Sequence, residues 1–368
     1  ASAMASTGIN AGSSSLQLAT ETPYTDEMFY EYALTWDYGY DRIGYRVVPV
    51  REDMANTFAY RSAEAADWIG SLGVEMKASD NSHSLQLVTK ENGAFGQVYV
   101  QALTNAIKEN EKIEVRTENR AVEIQLDENG AVCGVVVEDK NGKMVIQTKA
   151  VLLATGGYAS ADSEFYQKYA AEWDGYYSYG AAGATGDGIV MADALNAKLD
   201  GMDAVTCTTV TVGTANQAGA KPVTESLKQG AVLLNKEGKR FINEMAKTAE
   251  MMEAIKAQKD QEAYLIADET VFGASSDLQA LTEADGLIVA ETVDELAEKL
   301  NLDPEVLNTT LNQYAQDATK NADTFEKTEF PSDLTNGKYY AVLVKPARRI
   351  TTGGIVIDGK AQVLNEQD

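Results

Sequence analysis

The chain has 368 residues, of which 44% are apolar and 24% charged, an ordinary globular composition of about two domains. Its formal charge of −25 argues against nucleic acid or an anionic membrane surface as a partner, since both need a basic face. Two cysteines and one histidine exclude a disulfide framework, a Cys-rich zinc or iron–sulfur centre and a His-rich metal site within the chain. A chain this poor in reactive groups points to a bound organic cofactor if it is an enzyme. No apolar run reaches the roughly 18–20 residues of a membrane span, and the first residues lack the basic start and apolar core of a signal peptide.

Residues 1–22 are rich in Ser, Gly, Ala and Thr and read as irregular. Ala59, Ala63, Ala66, Ile69 and Leu72 recur at helical spacing and stop at Gly73, so a helix is predicted over 51–73. A second amphipathic helix is predicted over 96–109. The period then changes to two, and strands are predicted over 113–117, 121–126, 132–139 and 143–148, with turns at Asn129-Gly130 and Asn141-Gly142. The unbroken apolar run 150–154, ending in Thr155-Gly156-Gly157, predicts a strand buried on both faces with a glycine turn at its C-terminal edge, where ligands of open α/β sheets sit.

The densest glycine segment, 180–188, opens a helix predicted over 189–199. It serves either as an anion cradle at a positive helix end or only as a tight turn. Beyond it come a strand (229–235), a turn (236–239), helices (249–259 and 292–318), a polar loop (319–338) and strands over 339–344 and 354–357.

Five segments, taken together and in order, resemble the flavoprotein family of fumarate reductases and succinate dehydrogenases, in its single-chain branch. They are Ala5-Ser6-Thr7-Gly8-Ile9-Asn10, Ala150–Gly157, Ala184-Thr185-Gly186-Asp187-Gly188, Gly230–Glu244 and Thr352-Gly353-Gly354 with Ala361–Leu364. The resemblance covers almost the whole chain. It implies an α/β fold: a remnant of a Rossmann-like FAD-binding domain (1–205 and 344–368) with an inserted capping domain (206–343). Family members also carry an opening G-x-G-x-x-G block and a closing segment that lie outside these residues. The expectation is therefore an internal fragment, inactive by itself and binding FAD weakly or not at all, within an active flavin-dependent parent.

The resemblance implies cofactor contacts at Ser6, Thr7, Gly8, Asn10, Ala121, Val122, Thr155, Gly156, Gly157 and Asp187. For the chemistry it implies Thr224 and Glu225 at the substrate and proton path, Lys228 near the family's path arginine, and Arg348 or Arg349 holding an anion. The same comparison puts Thr248 where the family has its proton-donating arginine, and Thr208 and the Arg349-Ile350 pair near its two substrate histidines. The substrate expected is thus a small unsaturated acid or enone other than fumarate, with an electron-donor domain or protein as partner. Two rival expectations are a fold relative without flavin and a steroid-type dehydrogenase using a tyrosine acid or base. Several residues have plain structural readings as well. Arg240 reads as an ion pair, Glu225 as a cap, the Arg348-Arg349 pair as solvated, His83 as a surface residue and Tyr176-Tyr177-Ser178-Tyr179 as core or cleft rim.

Overall fold

The computed structural model describes residues 8–35, 50–88 and 94–366. Strands β1 (Ile9–Asn10), β2 (Met76–Lys77) and β3 (Ser84–Leu87) form a small sheet in the order β1-β3-β2. Helices α1 (Ser15–Leu18), α2 (Asp26–Leu34), α3 (Glu52–Ser71) and α4 (Phe95–Glu109) belong to the same N-terminal region. Helix α3 buries Ala55, Ala59, Ser62, Ala66 and Ile69. That is one stripe at helical period, and it matches the predicted helix. The buried Gln17 clamps the region by donating from Nε2 to the carbonyls of Ala11 (2.6 Å) and Ser82 (2.8 Å).

A three-stranded meander follows: β4 (Arg120–Leu126), β5 (Val132–Asp139) and β6 (Gly142–Gln147). Its β5–β6 turn uses the predicted Asn141-Gly142 pair, with Gly142 at φ +120°. Two predicted strands do not form. Residues 113–117 have no ladder partner, and Val115 is 64% exposed. The run 150–154 is likewise extended but unpaired, with Leu152 86% exposed. Apolar composition favours burial, but a strand also needs a neighbouring edge for its N–H and C=O groups. Among the described residues none pairs with either segment.

Helices α5 (Ser163–Tyr169) and α6 (Asp187–Asp193) flank the short β7 (Tyr177–Ser178). Helix α6 is shorter than predicted, closing in turns at 194–196. The pair β8 (Leu199–Asp200) and β15 (Gly354–Ile355) forms a separate two-stranded ladder. The largest sheet has seven strands. Five run in the order β10 (Lys221–Pro222), β9 (Val205–Val212), β14 (Tyr339–Thr351), β12 (Ala263–Asp268) and β11 (Val232–Leu234). Strands β13 (Ile288–Ala290) and β7 also pair with β14. All ladders are antiparallel except β7 on β14. At 13 residues β14 is the longest strand, and the residue 343/344 division lies inside it.

Helices α7 (Thr224–Lys228), α8 (Thr248–Lys256), α9 (Val293–Leu300) and α10 (Pro304–Lys320) surround this sheet. Asp303 caps α10 by accepting from the N–H groups of Glu305 and Val306, with Pro304 in the first turn. The main core joins Leu233, Leu265, Ile266, Val342 and Val344 of the sheet to Leu296, Leu307 and Leu311 of the helices. Beneath it lies a buried charge cluster. Arg240 makes paired bonds to Glu244 (2.8 Å each) and one to Asp323 (2.8 Å), while Lys327 Nζ donates to Glu244 (2.8 Å) and Tyr314 Oη (3.1 Å). Two cations against two carboxylates leave no net charge, so the ionic reading of Arg240 holds. Among the described residues no helix is long and apolar enough to cross a membrane, and no group of His, Cys, Asp and Glu could hold a metal.

Candidate functional site

Three glycine-bearing segments meet at one place. A Cβ on Gly157 would collide with Thr351 Oγ1, one on Gly188 with Thr155 Oγ1, and one on Gly353 with Gly201 O. The backbone locks these contacts together: Gly186 N–H donates to Gly157 O (3.2 Å), Ser160 N–H to Ala184 O (2.9 Å) and Tyr158 N–H to Thr351 Oγ1 (3.2 Å). Gly186 also needs its left-handed φ of +79° to open α6. These glycines are therefore required by close approach.

The turn at 155–157 has a different character. Gly156, at φ +74°, faces open space. The N–H groups of Thr155, Gly156 and Gly157 find no acceptor among the described residues. Free backbone donors on a fixed, side-chain-free turn suit an anionic or carbonyl-bearing ligand. That donor set fits a dinucleotide or flavin.

The adjoining glycine turn at 184–188, bonded to the first through Gly186 N–H and Gly157 O, is tied to the meander by a bond that the sequence patterns do not announce. Arg120 Nε and Nη2 both donate to the Asp187 carboxylate at 2.8 Å, and Thr185 Oγ1 adds a third bond at 2.9 Å. The Arg120 guanidinium, then the Thr185 hydroxyl, hold the Asp187 carboxyl below its usual range against the opposing effect of burial. Asp187 thereby brings Ala121 and Val122, at the start of β4, to the helix that leaves the glycine turn. Its oxygens are already engaged, so it positions the turn. The Gly8–Asn10 strand lies in the small N-terminal sheet instead, where a Cβ on Gly8 would strike Leu85 O. Asn10 is exposed there. Ser6 and Thr7 lie outside the described residues.

On the sheet side, β14 carries the arginine pair, and the structure divides it. Arg348 is 0% exposed, with its guanidinium 3.9 Å over the Tyr166 ring and Nη1 donating to Trp173 O (3.2 Å). Its Nε and Nη2 find no acceptor, and burial pushes its pKa down. Arg348 therefore packs within the aromatic core around Tyr166. Arg349 is exposed and makes no side-chain bond among the described residues. The ladder to β9 shifts register between Arg348 and Ile350, the kind of bulge that re-aims a side chain.

Thr224 and Glu225 open α7 and are half-buried; Lys228 at its end is exposed. Glu225 accepts from Ser276 Oγ (2.6 Å), and its N–H donates to the Asp277 carboxylate (2.7 Å). Thr248 begins α8, and Thr208 lies on β9 opposite Ala347. His83 stacks on Tyr32 (4.4 Å between centroids), and burial lowers its pKa. The tyrosine cluster splits: Tyr176 and Tyr177 are buried, while Tyr179 is 43% exposed. Arg120 is a residue that sequence reasoning passed over, and Tyr179 reads in the sequence only as part of a core or cleft-rim cluster. Only a view of which strands meet picks them out.

Comparison with known proteins agrees with this geometry. The family model described as FAD binding domain matches residues 50–368. A fumarate reductase (cytochrome) from Shewanella frigidimarina is 31% identical over 85% of this chain and 55% of its own length. A urocanate reductase from Eggerthella lenta is 29% identical over 85% of this chain and 54% of its own. The chain thus spans about half the length of these relatives. Among solved structures, the open conformation of a flavocytochrome c3 fumarate reductase superposes with a TM-score of 0.79 at 27% identity, covering 100% of this chain and 64% of that one. The chain belongs to the FAD binding domain family, the flavoprotein family of the fumarate reductases and succinate dehydrogenases.

Proposed function

We propose that the protein is an FAD-dependent oxidoreductase in which a hydride passes between the flavin and a small unsaturated acid or related acceptor other than fumarate. The observation that carries this reading is Arg349. It is an exposed guanidinium with no side-chain partner among the described residues, at a strand bulge two residues before Thr351, whose side chain packs against Gly157 of the turn. A planar guanidinium fixes a carboxylate by paired charge-assisted bonds. The turn at 155–157 offers its free N–H groups to the cofactor, and Arg120 through Asp187 keeps that turn in place. FAD, when bound, supplies the hydride chemistry.

Thr224 and Glu225, with Lys228 behind them, belong in this reading to the cap side of the cleft. Residues 206–343 would form that cap over the partial FAD domain. Because β14 runs across the 343/344 division, it is the rigid connection between the two, which supports the cap's closing over the turn and excluding water. The departures at Thr208, Thr248 and Ile350 argue against fumarate and for another unsaturated acid, with a donor domain or protein returning electrons to the flavin.

The test is anaerobic. The purified full-length parent protein is loaded with FAD, reduced with a viologen dye, and offered acrylate, urocanate, fumarate and a 3-ketosteroid enone in turn. Dye oxidation by an unsaturated acid, faster than by fumarate, supports the reading. A folded protein with no flavin absorption, or one whose reduced form no acid reoxidises, overturns it. Turnover of the enone alone would favour the steroid-type reading.

A further inference from the structure

We propose that Tyr179 is the proton donor of this reaction. The inference rests on the reductase reading above and adds the group that reading lacks, since Thr248 occupies the position of the family's donor and a threonine hydroxyl does not give up its proton at neutral pH.

The argument starts from two strand ends. β7 runs parallel to β14 with Ser178 in register with Arg348, and Tyr179 N–H extends the ladder by donating to Arg348 O (2.8 Å). Ser178 and Arg348 are both fully buried. Tyr179 follows the last residue of β7 and Arg349 sits at the bulge of β14, and both are exposed. A phenol and a guanidinium thus flank the bond that joins the two segments. Neither makes a side-chain hydrogen bond among the described residues.

From Tyr179 the chain enters Gly180, whose Cβ would press on Ala159 Cβ at 2.5 Å, two residues past the Thr155–Gly157 turn. Tyr179 therefore leads directly into the segment that packs beside the cofactor turn. Two exposed lysines, Lys228 and Lys247 next to Thr248, are its rivals; the other candidates named above are taken. Glu225 is bonded to Ser276, Tyr176 and Tyr177 are buried, and His83 stacks on Tyr32 beside the small N-terminal sheet.

FAD held at the 155–157 turn would, in its reduced form, supply the hydride to one carbon of the substrate double bond and be left oxidised. The π electron pair moves to the neighbouring carbon, which takes the proton as the Tyr179 O–H bond breaks. The phenolate left behind is stabilised by Arg349 and reprotonated from solvent.

Tyr179→Phe removes one exposed oxygen and leaves the fold intact. With the acid that turns over best, kcat is expected to fall by roughly 10²–10⁴, with KM within about threefold and flavin absorption unchanged. Arg349→Met should raise KM instead. A second measurement does not depend on turnover: calorimetric binding of the saturated acids propionate and succinate. Binding should weaken roughly threefold to tenfold in Tyr179→Phe, as for one lost hydrogen bond, and more in Arg349→Met. If Tyr179→Phe keeps kcat within about twofold, or if Lys247→Met produces the kcat loss instead, the donor is not Tyr179. If the wild type reduces no acid, the reductase reading falls. In that case unchanged acid binding in both variants also removes Tyr179 and Arg349 as a site.

Discussion

Two charged regions of this molecule look alike in sequence and behave oppositely in structure. Beside the main sheet, Arg240, Glu244, Asp323 and Lys327 are almost fully buried and bonded to one another, with Tyr314 closing the group. Near the end of β14, Arg349 stands in solvent with no side-chain partner among the described residues. The first region has used its charges up, and the second holds them in reserve. An ionic group removed from water must be neutralised by the protein itself. A group meant for a ligand must be left without an internal partner and close to a rigid element. The difference teaches where substitutions should cost stability and where they should cost binding.

The sharpest way to break this contrast is in the buried cluster. Glu244→Ala leaves two buried cations facing Asp323 alone, and breaking a buried pair in this way costs about 3–5 kcal/mol. Urea unfolding should show a much lower midpoint with an unchanged slope. A loss under about 1 kcal/mol would mean that water enters the cluster and that its ionic network is not structural. Arg349→Met is the mirror experiment. It should leave the unfolding midpoint within about 0.5 kcal/mol while weakening acid binding by about 1.5–3 kcal/mol, the usual worth of hydrogen bonds to a charged group. A large stability loss with intact binding would exchange the roles of the two regions.

How far the sequence reached depended on what each signal needs from its neighbours. The α3 helix and the Asn141-Gly142 hairpin are local features, and local patterns suffice to announce them; the stretch predicted as one helix over 292–318 is instead split into α9 and α10 by the left-handed Asn301 and the Asp303-Pro304 cap. The run 150–154 has the composition of a buried strand, yet Leu152 lies open, because pairing depends on an edge that composition does not describe. The site shows the same limit. The turns Thr155-Gly156-Gly157 and Gly186-Asp187-Gly188 are legible as glycine spacing. The bond from Arg120 to Asp187 joins residues 67 apart, and the bond from Tyr179 N–H to Arg348 O spans still more of the chain. The adjacent Arg348 and Arg349 read as equivalent until β14 buries the first and its bulge leaves the second exposed.

The glycine turn provides a prediction of intermediate size. Ala at position 157 meets Thr351 Oγ1, and overpacking of this kind costs about 1–3 kcal/mol. Gly157→Ala should therefore lower the midpoint and release FAD together. Adding Thr351→Ala removes the obstacle and should restore much of both. If the double variant recovers stability but not FAD, the Tyr158 N–H bond to Thr351 matters to the cofactor more than the space does.

The smallest effect concerns Asp187, where the two kinds of region meet: a structural ion pair that serves the ligand turn. Its carboxyl is held below the usual value, chiefly by Arg120. A depressed carboxyl stabilises the fold fully above the unfolded value of about 3.9, and that contribution is lost as pH falls through the lower folded value. Asp187→Asn removes the pair at all pH values, so the stability gap between wild type and variant should close on acidification below about pH 4. Arg120 is 68% exposed in its side chain, so the gap should be below about 1 kcal/mol and shrink as salt is raised. FAD affinity should follow the same acid limb if the bond acts by holding the turn. Affinity that drops in Asp187→Asn without any acid limb in the wild type would instead place the Asp187 oxygens on the cofactor itself.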